Sequence, residues 1–217
     1  AISISDSLND KENKQNQNLI AMAITKPESD SFKELLKKSA FHTNPELRKD
    51  AAFSLRFLKD MQSLERTQLL KDKDPEVLAL TLDSLATSKA YNAAEEILQN
   101  AKSIAPEYKI LSLKYLPELV SEKNEKAILN FVSNEAFDSN LQTKIEAIRA
   151  LSKIVRNSKS PEMQSNALMS LALTLKDPNP TISQLTIWEL AKTKSPQAVE
   201  PISQALQHEE TLTTALE

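Results

Sequence analysis

Glycine is absent from all 217 residues of this chain. At an average usage of about 7%, roughly 15 would be expected. Glycine supplies the positive φ of type I′ and II′ hairpins, of bulges and of phosphate-cradling loops. A chain without it has poor access to β-hairpins, Walker loops and dinucleotide fingerprints. The expected fold is therefore all-α, and the commonest nucleotide sites are excluded. Aromatic residues make up only 5% of the chain, which suits thin layers of Leu, Ile and Ala better than one thick core.

One phrase returns along the chain. It reads "DKDPEVLALTLDSLA" at 72–86, "TNPELRKDAAFSLRFL" at 43–58, "KSPEMQSNALMSLALTL" at 159–175 and "DPNPTISQLTIWELA" at 177–191. Asp74, Asn44 and Ser160 are good N-caps, because each side-chain oxygen can accept from an unpaired NH of the first turn. Pro75, Pro45 and Pro161 follow at N1, where no NH is needed and φ is already helical. Glu76, Glu46 and Glu162 come next and favour the positive end of the helix dipole. Ala105-Pro106-Glu107 repeats the dipeptide with a poorer cap, and Asp177-Pro178 is read as one more start.

Aligned on these starts, Leu55, Leu85, Leu116, Leu151, Leu171 and Leu190 share one position. Small or branched residues sit just upstream, as at Ala51-Ala52, Thr81-Leu82, Ser112-Leu113, Ala147-Ile148, Ala167-Leu168 and Thr186-Ile187. Such residues let a neighbouring helix approach closely. Shorter second helices alternate with the first, at 63–70, 90–101, 125–132 and 195–206, and 161–175 fits this second role. The period of about 30–40 residues is that of helical-pair repeats. The pairs fall at 19–41, 45–71, 75–101, 106–133, 141–175 and 180–208. Residues 1–18 read as a polar N-terminal arm and 19–217 as a single domain. The final "ETLTTALE" reads as the start of a capping helix or a truncated repeat.

The segment "DPNPTISQLTIWELAKTKSPQAVEPISQALQHEE" (177–210) resembles a HEAT repeat of the phycobilisome-lyase type. Leu190-Ala191 matches the end of its first helix, Ser195 to Val199 the entry, and Ile202 with Ala205-Leu206 the second helix. Residues 72–101 match more loosely, and Pro117 in "LKYLPELV" is similar to the proline that kinks many HEAT first helices. The family places Gly in the turn between helices, where this chain has Thr193-Lys194-Ser195 and Thr87-Ser88-Lys89. The resemblance covers most of the chain from about residue 43. It implies a right-handed α-solenoid of about six HEAT-like pairs, whose second helices line the concave face, and says little of function.

No residue set points to catalysis, a metal or a cofactor. Cysteine is absent, so disulfides, thiolate metal sites and Cys nucleophiles are excluded. HEAT-type di-iron hydroxylases bind metal through several His-Glu pairs, whereas here only His208-Glu209 forms one and His42 precedes Thr43. The HEAT-like alkylpurine DNA glycosylases need a basic concave face and a base pocket. Here the five arginines, Arg48, Arg56, Arg66, Arg149 and Arg156, share no one repeat position, and Trp188 reads as a packing or rim residue. In the second helices, Glu65, Glu95 and Glu200 share one register, with Leu64, Ala94 and Val199 beside them expected to point inward. Gln99 and Gln204 follow one turn on. A concave ladder of these five residues suits a basic or amide-rich segment of a partner.

The net charge of −3 lacks the basic surplus of a nucleic-acid binder. No run of 18 apolar residues marks a membrane span. The missing cysteines favour the bacterial periplasm over the cytoplasm, and an Ala at position 1 fits a removed export signal and a trimmed chain equally. The expected function is a non-catalytic protein-binding scaffold or adaptor, with self-association through solenoid ends. The alternatives are a HEAT-like DNA glycosylase and a bilin-lyase-type enzyme, both disfavoured by composition and missing site residues.

Overall fold

The computed structural model describes residues 18–58, 64–103 and 105–207. The polar arm up to residue 17, His208, Glu209 and the final segment lie outside them. Among the described residues the chain is all α. The helices are α1 (18–25), α2 (Asp30–Ala40), α3 (Pro45–Ser54), α4 (Leu64–Leu69), α5 (Pro75–Thr87) and α6 (Ala94–Ser103). Then come α7 (Pro106–Tyr115), α8 (Glu125–Glu135), α9 (Leu141–Asn157), α10 (Pro161–Leu173), α11 (Pro180–Thr193) and α12 (Val199–Leu206). Short 3-10 turns extend α3, α7 and α10 and introduce α6 and α12. The switch after Tyr115 coincides with Pro117, which has no NH to continue the α-helix.

The chain forms two compact units, one up to Tyr108 and one from Lys109. In the first, α3 packs on α2 and α5, and α4 packs on α2 and α5. In the second, α9 packs on α8, α10 and α11, α10 also meets α8 and α11, and α12 rests on α11. Helices thus meet their sequence neighbours and the next but one, which is the connectivity of a solenoid-like stack. The aligned leucines fall in the core of each unit. Leu55, Leu85, Leu116, Leu151, Leu171 and Leu190 are all buried, as are Ala51, Thr81, Ser112, Ala147, Ala167 and Thr186 upstream.

The caps form as the sequence predicts. Asn44 Oδ1 accepts from Glu46 N, Asp74 Oδ1 from Glu76 N and Val77 N, and Ser160 Oγ from Met163 N. One start differs from expectation. α11 begins at Pro180 with Asn179 as its cap, not at Asp177-Pro178. Asp177 is instead the residue two before the cap, and this position carries a second device. Its side chain accepts the backbone NH of the cap residue itself: Asp177 from Asn179 at 2.9 Å, Asp138 from Asn140 at 2.7 Å and Asp72 from Asp74 at 2.9 Å. His42 Nδ1 does the same for Asn44 at 3.0 Å and Ser158 Oγ for Ser160 at 3.1 Å.

Where this residue is Asp, it also receives a cation from the first turns of the preceding first helix. Arg48 meets Asp72 through Nε at 2.7 Å and Nη2 at 3.0 Å. Lys109 reaches Asp138 at 2.9 Å, and Lys144 reaches Asp177 at 2.6 Å. Each cation stands four residues after its own helix cap, so one spacing ties the start of α3 to that of α5, α7 to α9, and α9 to α11. The Asn140 NH, then the Lys109 ammonium, hold the Asp138 carboxyl down at about 2 from an ordinary 3.8. A depressed carboxyl stabilises the fold above its unfolded value and loses that contribution as pH falls through its folded value. The stability gap between the wild type and Asp138→Asn, read by urea unfolding, is expected to stay constant above about pH 4 and to close towards about pH 2. A gap that does not change across that window would sink the assignment.

The turns without glycine have a conformational cost. Lys89 and Lys194 take φ of 57° and 54°, in the left-handed region, at the two turns where Gly was expected from the HEAT resemblance. A side chain with a Cβ costs about 1–2 kcal/mol there, partly offset by the greater unfolded-state freedom of glycine. Lys89→Gly and Lys194→Gly should therefore each raise stability by roughly 0.5–1 kcal/mol in urea titrations. Lys→Ala at the same positions should bring no such gain.

Candidate interaction surfaces

In the first unit, α4 and α6 form a depression of about 570 Å³, lined by Leu64, Arg66, Glu95, Glu96, Gln99 and Asn100 among others. Arg66 is buried and ties the two helices together. Its Nη1 donates to Asn92 Oδ1 at 3.1 Å, and its Nη2 meets Glu96 Oε2 at 3.2 Å. Glu95 and Gln99 are exposed one turn apart on α6, so two of the five expected contact residues share this surface. Glu65 is half-buried on α4 and does not line it.

Glu200 and Gln204 lie on α12 in the second unit, where Gln204 Nε2 donates to Glu200 Oε1 at 3.2 Å. Gln204 also borders an apolar hollow of about 360 Å³ with Met169, Leu173, Leu175, Pro201 and Ala205. The neighbours of the glutamates correct the sequence reading. Ala94 is buried, but Leu64 is 65% exposed and Val199 62% exposed, where both were expected to point inward. The short α4 buries Arg66 and Leu69 instead. No residue of α12 is fully buried, because α12 has α11 as its main packing partner among the described helices.

A third surface went unread in the sequence. A groove of about 460 Å³ in the second unit gathers Lys114 from α7, Arg149, Lys153 and Arg156 from α9, and Lys192 from α11. Two carboxylates share it: Glu146 holds Arg149 at 2.7 Å and Glu189 holds Lys192 at 2.8 Å. Lys153 meets Glu118 at 3.4 Å. The cations of α9 follow an i, i+4, i+7 spacing that places them on one face. The arginine spacing alone does not disclose this groove, because Lys114 and Lys192 join Arg149, Lys153 and Arg156 from two other helices. Trp188 is 63% exposed with the Lys192 ammonium 5.4 Å from its ring centroid, so it is a surface residue and not a core one.

His42 is a loop acceptor, as above. No group of three or more His, Cys, Asp or Glu residues among the described residues could hold a metal ion. No described helix is long and apolar enough to cross a membrane.

No family model matches the chain, and no curated protein does. Among solved structures the chain is similar to a crystal structure described as an engineered protein from a structural-genomics consortium. The TM-score is 0.52 and the identity 19%, over 85% of this chain and 90% of that one. A likeness at that identity shows the all-α, solenoid-like fold alone.

Structural and surface residues in the α4–α6 depression should separate cleanly on mutation. Arg66→Ala strips a buried charge network and is expected to cost about 2–4 kcal/mol. Glu95→Lys, at an exposed position, should change stability by less than about 0.5 kcal/mol. Urea unfolding followed by circular dichroism reads both.

Proposed function

We propose that this protein is a non-catalytic protein-binding scaffold. One observation carries the reading. The second helices hold large apolar side chains in solvent, Leu64 on α4, Met169 and Leu173 on α10 and Val199 on α12. These sit on the same helices as, or beside, the polar residues of the expected ladder. Glu95 and Gln99 share the depression with Leu64, and Gln204 shares the hollow with Met169 and Leu173. Exposed apolar groups with a polar rim are the composition of protein interfaces. An array of paired helices offers such contacts at intervals along its length, each modest and together specific.

The repeats are read as HEAT-like on the strength of the buried leucine column and the recurring cap device. In this reading Glu65, Glu95, Gln99, Glu200 and Gln204 meet a protein partner, and neither a nucleic acid nor a cofactor takes part. Cross-linking in source cells followed by affinity capture and mass spectrometry tests it. Wild type should retain a discrete protein partner. Glu65→Lys/Glu95→Lys/Glu200→Lys and Met169→Lys/Leu173→Lys, both at positions with solvent access, should keep the helical circular dichroism spectrum and reduce capture about tenfold or more. Absence of any specific protein partner would remove the scaffold reading.

A further inference from the structure

The first-helix layer is neutralised in one unit and left cationic in the other. In the first unit every cation of α3 and its 3-10 extension has a carboxylate. Arg48 holds Asp72, Lys49 holds Glu46 and Glu76, and Arg56 holds Asp83 at 2.9 Å. In the second unit the equivalent layer gathers five cations around one groove, against two carboxylates in its lining and Glu118 outside it, which holds Lys153 at 3.4 Å. The two lining carboxylates are engaged with cations three residues away on their own helices. Among the described residues no carboxylate pairs with Lys114 or Arg156. Lys114 lies 5.1 Å from the Tyr115 ring, and Arg156 Nε donates to the Ser152 carbonyl at 3.3 Å. The same scaffold therefore accommodates paired charges, so the surplus in the second unit is not a requirement of the fold.

We infer that the α7–α9–α11 groove is a docking site for an acidic peptide segment, rich in Asp and Glu, of a partner protein. The inference rests on the protein-binding reading above and assigns a partner class to a different face. Arg149, Lys153 and Arg156 occupy successive turns of α9, so their charges line up along the helix and can meet carboxylates spaced along a chain. The two guanidinium groups offer planar forks for bidentate carboxylate contacts. Buried Leu113 and Ala150 close the groove beneath the cations, and exposed Trp188 stands beside the Lys192 ammonium outside the lining, where an aromatic anchor strengthens peptide contacts. A peptide is favoured over a nucleic acid because Glu146 and Glu189 interrupt the positive lining, which a mixed peptide tolerates and a continuous polyphosphate does not.

Fluorescence anisotropy with the full chain tests this. The probe is a fluorescein-labelled peptide alternating Glu and Leu. The comparators are the same peptide with Lys for Glu and a labelled single-stranded DNA. Wild type should bind the acidic peptide, more weakly as salt rises, and bind the comparators less well. Arg149→Gln/Lys153→Gln/Arg156→Gln should lose about tenfold in affinity while its thermal unfolding curve stays close to wild type. Lys49→Gln/Arg56→Gln, which removes charge from the first unit, should change affinity by less than roughly twofold. Arg149→Glu/Lys153→Glu/Arg156→Glu should invert the preference towards the lysine peptide. No binding at low salt, equal loss in both Gln variants, or tighter binding of the DNA would each overturn the proposal. A cellular partner captured equally by wild type and the groove variant would also overturn it while leaving the scaffold standing. Loss of every partner from wild type would remove both.

Discussion

The acceptor two residues before the caps of α3, α5, α9, α10 and α11 organises the rest of this structure. A helix leaves its first NH groups without partners, and the cap side chain satisfies one or two of them. The cap residue has an NH of its own, which must also be satisfied in a tight and partly buried turn. Asp72, Asp138 and Asp177 do this, and His42 and Ser158 do it without a charge. Once the acceptor is an Asp, it carries a negative charge into a sheltered turn, and a cation from the preceding helix offsets it. Arg48, Lys109 and Lys144 are those cations. A local need of the backbone thus becomes a link between successive repeats.

This link bears on how a chain without glycine builds a stack of helices. Most connections avoid the left-handed region altogether, by ending helices in 3-10 turns or in extended residues ahead of the next cap. Only Lys89 and Lys194 among the described residues take positive φ. Both precede a 3-10 turn that leads into a second helix, at Tyr91–Ala93 and Pro196–Ala198. The strain there is small beside the burial of the neighbouring Leu85, Ala93, Leu190 and Ala198. Packing overrides the local preference, as it commonly does where short turns join well-packed helices.

Burial also separates the two kinds of surface. The leucine column and the clamps are alike in both units, so the internal frame is uniform. The outer faces differ: α4, α10 and α12 carry exposed apolar groups, while α7, α9 and α11 bring five cations to one groove beside the exposed Trp188. A repeat frame held by short-range devices leaves its solvent positions free to vary, and interaction surfaces are placed on such positions without disturbing the core.

The sequence by itself determined the helices, most of their starts and the burial of the aligned leucines. These depend on local chemistry that recurs at fixed spacing: a cap oxygen, Pro at N1, a leucine ten or so residues on. Pro75 and Leu85 announce α5 without any knowledge of its neighbours. Only the tertiary structure decided which side chains meet. Asp177 looked like a cap and is a clamp, because Asn179 two residues later takes the helix start. Leu64 and Val199 looked inward-facing, yet a short helix and a sparsely packed one leave them in solvent. Glu65, Glu95 and Glu200 share a register in sequence, but only Glu95 and Gln99 occupy one depression. Lys114, Arg149 and Lys192 come from three helices, and their convergence depends on packing that no single-helix pattern encodes. Local spacing dictates elements; distances between elements are set by the volumes of the side chains packed between them.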